Sequence, residues 1–437
     1  MMLIQKSDLH VFLAQNRDKR EYFSFILLAL VIVTLPFFIQ LNSLCVIALS
    51  GLWLISGNWK QKAKYFLSQP LLYLPVLMFL LLIISYALSH DKKTGGFELE
   101  KKLSLLAFPL IFSGIIFNDW RKRKVLMALF VFACLAAALI CLGFAFTEYS
   151  KLGSNAFFYH QLSSPLGFHA VYFSCYISFC IILLFVPLTE KLGTMTSTER
   201  NMQLFTLIFL LFFLVLLSSK TILAATLLMM LFIPVTRVVK RRQNLKLLLG
   251  SAALLILLVV MISRTDYIKG RFSEIARENY TEVLASEDYR HIAFTGGTIR
   301  LAIWKSVIEI LNSENAWLFG TGIGDAQNKL TQHYKEKNIY PGDEVLGFKG
   351  FLHYNAHNQY FEFLISTGLC GTLLFLTWLI LLFYKAIRTQ KTEWICFMIL
   401  MCFFFFTESV LSAHKGVVLF MLVPLLYNAG PEEKESD

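Results

Sequence analysis

The sequence has few charged residues, and none of its cysteines lies outside the long apolar runs. Only 16% of its 437 residues are charged, whereas 57% are hydrophobic. Soluble domains contain about 25% charged residues, so this composition argues against a soluble globular fold. All eight cysteines lie inside apolar runs, which argues against disulfides and cysteine-based metal sites.

An internal repeat and a low-complexity linker are also missing from the sequence. Many secondary transporters are built from repeats that show as internal symmetry, so this absence argues against that class.

The first apolar run follows a basic segment, lacks a small-residue cleavage site and leads straight into a second run. We therefore interpret it as a retained span and not as a removed signal peptide.

Apolar runs of about 14 to 28 residues recur along the chain, and each suits a membrane-crossing helix. They predict an all-α fold, namely a polytopic transmembrane helical bundle of about 12 spans with one large, mainly helical periplasmic loop. The predicted spans cover residues 23–40, 42–57, 71–89, 103–118, 124–147, 169–188, 203–218, 221–236, 245–263, 359–386, 393–411 and 415–428.

The distribution of basic loops indicates how this predicted bundle is oriented in the membrane. The loops at 58–64, 119–124, 236–246 and 385–393 are rich in Lys and Arg and fall on one side, together with both termini. The positive-inside rule assigns that side to the cytoplasm. The cytoplasmic segments hold 22 Lys and Arg against 11 Asp and Glu, whereas the exterior segments hold 18 of each. Topology thus explains the net charge of +11, and no nucleic-acid partner is predicted.

The topology divides the chain into three parts. Residues 1–263 are predicted to form an N-terminal bundle of about nine spans, and 359–437 a C-terminal bundle of about three spans with a cytoplasmic tail. Between them, residues 264–358 form a periplasmic loop with 11 basic and 12 acidic residues. This loop is by far the largest exterior segment, and we expect it to be catalytic.

Two patterns inside the loop predict helices. Residues 295–311 indicate a turn followed by an amphipathic helix, with Arg300 and Trp304 four positions apart on one face. Residues 317–334 contain a G-x-G-x-G run ahead of a helix that Asp325 is placed to cap. The glycine run lacks the strand and acidic partner of a nucleotide-binding fold, so we interpret it as a tight turn.

Two histidines end the loop, His353 and His357. Their spacing of four residues suits one zinc ion on a helix face, but Tyr354 stands where a metalloprotease has glutamate, and no third ligand is near. The alternative is a pair of interfacial histidines in an aromatic belt. Residue chemistry alone leaves these interpretations open, and we expect no metal.

Ionisable residues also interrupt the apolar runs. Lys220 lies in a tight exterior turn between two spans, and Glu408 lies near the same face in residues 403–416. Each is either an interfacial residue, with Lys220 snorkelling to the surface, or a functional group that faces a cavity. The sequence does not separate these alternatives.

Several motifs together resemble one family. The succession of spans, "SSK" before an apolar run, "TIRLAIW", "LFGTGIGD" and "HNQYFEFLISTGLCG" resemble the O-antigen ligase and O-antigen polymerase superfamily of bacterial inner-membrane glycosyltransferases, in the form common in Bacteroidetes. The strongest motif joins His357 and Asn358 with Tyr360, Glu362 and a pair of glycines.

The resemblance implies a metal-independent, inverting glycosyltransferase without a cofactor. Its partners would be an undecaprenyl-diphosphate-linked glycan donor, a hydroxyl acceptor (lipid A core, glycan or protein) and membrane lipids. His357 matches the family's catalytic histidine and Arg300 its loop arginine. Lys220 stands where many relatives have arginine, and it lacks the planar guanidinium group that can bind phosphate through two hydrogen bonds. The remaining residues expected to contact substrate are His353, Asn358, Tyr360, Trp304, Arg264 and Glu408.

The chemistry of such a transfer agrees with these residue types. A diphosphate leaving group requires preorganised positive charge, which Lys220 and Arg300 would supply. A histidine with a pKa near 6.5 is well matched to deprotonating a hydroxyl at neutral pH. The alternative is a polytopic transporter or a lipid-linked glycan flippase, in which Lys220 and Glu408 would line the path.

Overall fold

A computed structural model describes residues 19–115, 120–190, 195–241, 265–274, 278–343 and 348–429. Within these ranges helices dominate, and the regular β-structure is one two-stranded antiparallel hairpin. The predicted all-α class is therefore confirmed.

The helices before the large loop follow in chain order. They are α1 (Lys19–Thr34), α2 (Ile39–Ile55), α3 (Trp59–Ser68), α4 (Pro70–Leu88), α5 (Lys92–Lys101), α6 (Ser104–Phe112), α7 (Trp120–Leu152), α8 (Tyr159–Ser163), α9 (Ala170–Glu190), α10 (Ser197–Leu217) and α11 (Lys220–Arg241). Short 3-10 turns at Gly153–Phe157 and Ser164–Leu166 flank α8.

In the described residues from 265 onward, the loop and the C-terminal part add seven helices and the two short strands. They are α12 (Asp266–Ser273), α13 (Tyr280–Ala285), α14 (Gly296–Ser313), α15 (Ala326–Glu336), β1 (Gly342–Asp343), β2 (Phe348–Lys349), α16 (Gln359–Arg388), α17 (Thr392–Thr407) and α18 (His414–Asn428). A 3-10 turn at Val410–Ser412 joins the last two helices.

Five described helices are long and apolar enough to cross a membrane: α4, α7 with its following turn, α9, α10 and α16. A sixth candidate is the pair α2 and α3, bent by 116°. Shorter apolar helices are Lys220–Val235, α17 and α18. The molecule is thus a multi-pass helical bundle. The predicted span at 245–263 lies outside the described residues, and the count of about 12 remains a prediction.

Helix α9 is almost entirely buried in this bundle. It packs against α7, α10, α11 and α17, and its sequence is apolar on all sides, as expected for a helix surrounded by other helices. Its first residue, Ala170, directly follows residues 159–169, which contain α8 and the 3-10 turn after it and which we call the α8 segment. The bundle core therefore fixes the position of that segment at one end of the molecule.

The loop helices have a second apolar core. It contains Ile299, Ile303 and Val307 of α14 and Tyr334 of α15, and Ile365 of α16 joins it from the bundle. Helix α14 begins with a capping box between Thr295 and Thr298, which satisfies amides that the first turn leaves free. The predicted helix at 295–311 is confirmed.

The glycine run forms a turn that docks on a break in α16. Gly368 has non-helical angles (φ 63°, ψ −161°) inside this helix. The backbone amide of Leu369 donates to the carbonyl of Trp317 at 2.7 Å, and that of Thr321 donates to the carbonyl of Ile365 at 2.7 Å. A Cβ at Gly320 would lie 2.6 Å from the α16 backbone, so only glycine allows this approach.

Asp325 does not cap α15 with its side chain, contrary to the sequence-based prediction. It occupies the N-cap position, but no hydrogen bond links its carboxylate to the helix amides. Instead its two oxygens accept hydrogen bonds at 2.8 Å from the amides of His90 and Asp91. The carboxylate therefore joins the loop to the α4–α5 connection, because those amides compete successfully for the same acceptor.

Candidate active site

Glu408 is the centre of a buried polar cluster. It follows α17, where the backbone becomes extended (φ −147°, ψ 148°), and its side chain is 6% exposed. Oε1 accepts a hydrogen bond from Nη2 of Arg300 at 2.9 Å, and Oε2 lies 3.0 Å from Nδ1 of His357. Two such partners stabilise the charged form of a buried carboxylate. Arg300, Glu408 and His357 thus form one connected group, which we call the polar triad.

The backbone of His357 has a positive φ of 42°, a conformation that non-glycine residues adopt rarely and that clusters at functional sites. Its amide donates to the side chain of Asn355 at 3.1 Å, which supports the turn. When the Nδ1–H group donates a hydrogen bond to Glu408, Nε2 carries the free lone pair. This is the arrangement that a general base requires.

Asn358 fixes the start of α16 next to this turn. Its side-chain oxygen accepts from the amides of Tyr360 and Phe361, and its Nδ2 donates to the carbonyl of Phe406 at 3.0 Å. The helix cap and the end of α17 are therefore joined by one side chain. Asn358 is 1% exposed, and its hydrogen bonds link the residues next to His357 with those next to Glu408.

Arg300 bridges the loop and the bundle. Besides its bond to Glu408, its Nε donates to the carbonyl of Thr407 at 3.0 Å and its Nη1 to the carbonyl of Gly296 at 2.7 Å. Three bonds in different directions fix the plane of the guanidinium group. The positive charge is therefore preorganised beside His357.

Trp304, one turn further along α14, holds the turn of His357 from the other side. Its Nε1 donates to the carbonyl of Ala356 at 3.0 Å. Its ring stacks on Phe361 with centroids 5.5 Å apart and meets the edge of Phe406 at 5.3 Å. Trp304 thus connects α14 with the turn of His357 and with the end of α17.

A cleft of about 200 Å³ opens at the polar triad. The α14 N-terminus, the turn before α16 and the α8 segment each contribute to its lining. The lining residues from the α8 segment, Tyr159, His160 and His169, are not among the site residues predicted from the sequence. Their only signal in the sequence is the pair of histidines in "YHQLSSPLGFH" between two apolar runs.

His160 and His169 lie together in this cleft, with ring centroids 4.3 Å apart. Burial lowers the pKa of His160 to about 4, and the charges of His169 and Arg271 act in the same direction, whereas Glu408 opposes them. Burial also lowers the pKa of His169. Both rings are therefore neutral at pH 7 and offer hydrogen-bonding groups without positive charge.

Arg271 of α12 is a second cation at the cleft that sequence reasoning missed. Its guanidinium lies 3.6 Å from the ring centroid of Tyr159, a cleft-lining residue. Its Nε is buried and makes no hydrogen bond to the residues that the structure describes. A buried N–H donor without an acceptor is costly, which makes this group well suited to an anionic ligand.

Lys220 is not among the residues that line the cleft. Its Nζ lies 3.0 Å from Oε2 of Glu274, and the side chains are 21% and 48% exposed, respectively. Glu274 directly follows α12, the helix that carries Arg271. Lys220 and Arg300 thus pair with different carboxylates. Arg264, the other cation expected here, lies outside the described residues.

Tyr360 and His353 lie away from the polar triad. The ring of Tyr360 packs against Phe375 at 5.9 Å and Phe405 at 6.4 Å, inside the bundle. His353 is exposed, and it does not belong to the cleft lining. The structure therefore brings together Arg300, His357 and Glu408 and places these two residues elsewhere.

The fold and the cleft define a class of protein: a multi-pass helical membrane protein with a preorganised histidine, carboxylate and arginine at one end of its bundle. Residues 205–376 match the family model described as O-antigen ligase. This match confirms the resemblance to the O-antigen ligase and polymerase superfamily, and it includes Arg300 and His357 but not Glu408. No curated protein matches the chain significantly.

Proposed function

We propose that this protein is a membrane glycosyltransferase that moves a glycan from an undecaprenyl-diphosphate-linked donor to a hydroxyl acceptor. The observation that carries the proposal is the bond between Nδ1 of His357 and Glu408 in a cleft that also holds Arg300. It leaves Nε2 of His357 as a base, and it provides a carboxylate that stabilises the imidazolium form.

In the proposed reaction, the acceptor oxygen attacks the anomeric carbon of the donor sugar while His357 Nε2 takes the hydroxyl proton. The new bond joins the acceptor oxygen to that carbon. The bond from the carbon to the diphosphate oxygen breaks, and undecaprenyl diphosphate leaves with the electron pair. A single displacement from the opposite face inverts the anomeric centre, as in other inverting glycosyl transfers.

Cationic side chains would stabilise the leaving diphosphate without a metal. Arg300 is held in place beside the base, and the buried Nε of Arg271 has no acceptor among the described residues. Lys220 remains a proposed donor contact, because its partner Glu274 follows the helix of Arg271. Preorganised cations in a poorly hydrated site stabilise developing negative charge strongly.

The reaction is proposed to take place at the periplasmic face of a bacterial inner membrane, with residues 264–358 as the catalytic loop. Sequence predicts opposite sides for the 236–246 loop and the 264–358 loop. Reporter fusions at Lys240 and Lys337 should therefore report cytoplasm and periplasm, respectively. The same compartment for both fusions would contradict the orientation and the location of the site.

The direct test replaces the proposed base. We expect His357→Ala to lower glycan transfer by roughly 100-fold to 10,000-fold, while the protein still accumulates in the membrane. Transfer is measured with purified enzyme in excess EDTA and by the glycan profile of a complemented deletion strain. Loss of long lipopolysaccharide would identify a ligase, and loss of chain-length modality would identify a polymerase. Loss of glycoprotein would identify a protein O-oligosaccharyltransferase.

Two outcomes of this test would contradict the proposal. Normal transfer by the His357→Ala variant would remove the base from the mechanism and favour the transporter or flippase alternative. Activity that returns only after zinc or magnesium is added would contradict a metal-independent reaction.

A further inference from the structure

A second, larger cavity adjoins the cleft within the loop. Its volume is about 520 Å³, within the range of pockets that bind small organic ligands. Residues within 289–294, 335–341 and 351–352 form its lining. Phe294 and Phe351 line both this cavity and the cleft. We call the larger cavity the aromatic groove.

Backbone hydrogen bonds hold the walls of the aromatic groove together. The amide of Tyr289 donates to the carbonyl of Lys337 at 2.9 Å, and the amide of Phe351 donates to the carbonyl of Tyr340 at 3.0 Å. Tyr289 is itself only 2% exposed. The three segments are thus tied to one another, and the groove is formed before any ligand binds.

A series of aromatic contacts leads from the groove to the proposed base. Ring centroids are 5.5 Å apart for Tyr289 and Phe294, 5.8 Å for Phe294 and Phe351, and 5.3 Å for Phe351 and Tyr354. Tyr354 in turn lies 4.8 Å from the imidazole of His357. A ligand on these rings would therefore extend directly to the reacting atoms.

The lining combines aromatic faces with exposed polar groups. Tyr340 is 44% exposed, and Arg290, Lys335 and Asn338 are exposed beside it. Sugar rings have apolar C–H faces that pack on aromatic rings, and their hydroxyl groups require polar partners around the edge. Arg290 is held at the edge of the groove by its ion pair with Asp288 at 2.6 Å. A saccharide offers both an apolar face for the aromatic rings and hydroxyl groups for this polar edge.

We propose that the aromatic groove is a saccharide subsite that binds the sugar chain of the acceptor. This inference rests on the proposed function. The acceptor hydroxyl must contact His357 Nε2, and the groove reaches His357 through Phe351 and Tyr354. The cation proposed for the donor, Arg271, instead contacts Tyr159 of the α8 segment. The two substrates would thus approach the cleft from different sides.

The test measures binding without turnover. The probe is the mixture of lipid-free oligosaccharides that mild acid releases from the envelope of the producing strain, titrated against purified full-length protein. We expect Tyr340→Ala to raise the Kd for these oligosaccharides about tenfold, because it removes the exposed aromatic face. Tyr340→Phe keeps the ring and should change the Kd less than about twofold.

Tyr149→Ala is the matched control, because Tyr149 is 56% exposed and does not line the groove. It should leave the Kd unchanged. In steady-state transfer, Tyr340→Ala should raise the acceptor KM by the same factor and leave the donor KM unchanged.

The outcomes separate this inference from the proposed function. Oligosaccharide binding that is absent, or that Tyr340→Ala does not weaken, overturns the saccharide subsite even when His357→Ala abolishes transfer. A rise in the donor KM alone also overturns it, because the groove would then hold the donor. Binding that depends on Tyr340 in a native protein that transfers no glycan supports a saccharide site in the groove, but it refutes the proposed function and with it the assignment of that site to an acceptor.

Discussion

Two ion pairs at the same end of the molecule have nearly equal N–O distances but differ in their exposure to solvent. Arg300 and Glu408 are 2.9 Å apart, and the carboxylate is 6% exposed. Lys220 and Glu274 are 3.0 Å apart, and the carboxylate is 48% exposed. Glu408 also binds His357. The first pair belongs to a buried network, and the second pair is partly solvated.

The N–O distance therefore does not determine how much each ion pair contributes to stability. Exposed ion pairs contribute about 0 to 1 kcal/mol because water screens them. Removing one member of a buried pair leaves an uncompensated charge, which costs several kcal/mol. The comparison predicts that substitutions in the Arg300–Glu408 pair disturb both catalysis and structure, whereas substitutions in the Lys220–Glu274 pair change substrate affinity at most.

The largest expected effect comes from neutralising Glu408, and neutralising Glu274 provides the matched control. Glu408→Gln keeps the side-chain volume but removes the charge that orients His357, and we expect transfer to fall by roughly 100-fold to 10,000-fold. Glu274→Gln should lower transfer less than about threefold, since its pair is solvated. Both rates are measured with purified protein in the same detergent.

Size-exclusion profiles provide the control for folding of these two variants. A Glu408→Gln protein that elutes like the native protein but lacks activity supports an orienting carboxylate. Equal losses for Glu408→Gln and Glu274→Gln would show that burial does not distinguish the two pairs.

A smaller effect is expected from the cations nearest to the donor. Arg271→Met and Lys220→Met each keep an apolar stem and remove the charge. We expect Arg271→Met to raise the donor KM about tenfold and Lys220→Met to raise it less, because Arg271 contacts Tyr159 of the cleft lining and its Nε has no acceptor in the part of the chain that the structure describes. Lys220→Arg should keep activity or raise it, since a guanidinium grips phosphate oxygens in two places.

The order of these effects is the informative result. A larger effect from Lys220→Met would identify Lys220 as the nearer phosphate contact. Unchanged donor KM in both variants would leave Arg300 to stabilise the diphosphate, and it would identify the Lys220–Glu274 pair as an interfacial anchor.

The sequence predicted the parts of the fold that depend on local patterns. Apolar runs predicted the helices of the bundle, and the amphipathic spacing around Arg300 predicted α14. The sequence also identified all three members of the polar triad, although it assigned Glu408 to substrate. Which carboxylate each cation pairs with depends on contacts between distant segments, such as Arg300 with Glu408, 108 positions apart.

The missed residues share a physical reason. His160, His169 and Arg271 lie in short segments without a strong periodic pattern, and only the packing of α8 and α12 at the bundle end brings them to the cleft. Asp325 fits a capping pattern, but the amides of His90 and Asp91 compete for its carboxylate. Local rules describe neighbours in sequence, whereas these roles depend on neighbours in space.

The smallest expected effect concerns stability, and it tests the environment of His160 in the cleft. The pKa of His160 is about 4 in the folded protein, against an ordinary value of 6.5. Above about pH 6.5, His160 is unprotonated in both the folded and the unfolded chain, so its titration does not reduce the free energy of unfolding. As the pH falls from about 6.5 to about 4, the unfolded chain binds the proton first and the folded protein loses stability. We therefore expect the Tm of the native protein to fall by a few degrees over this window.

His160→Gln should reduce that acid-dependent loss, because glutamine has no proton to gain. The exposed residue His353 provides the matched control, and His353→Gln should follow the native Tm curve. The measurement is the Tm of detergent-solubilised protein at several pH values between about 7 and 4. Parallel curves of Tm against pH for the native protein and His160→Gln would show that the His160 ring is solvated. The cleft beside Glu408 would then contain more water than its geometry indicates.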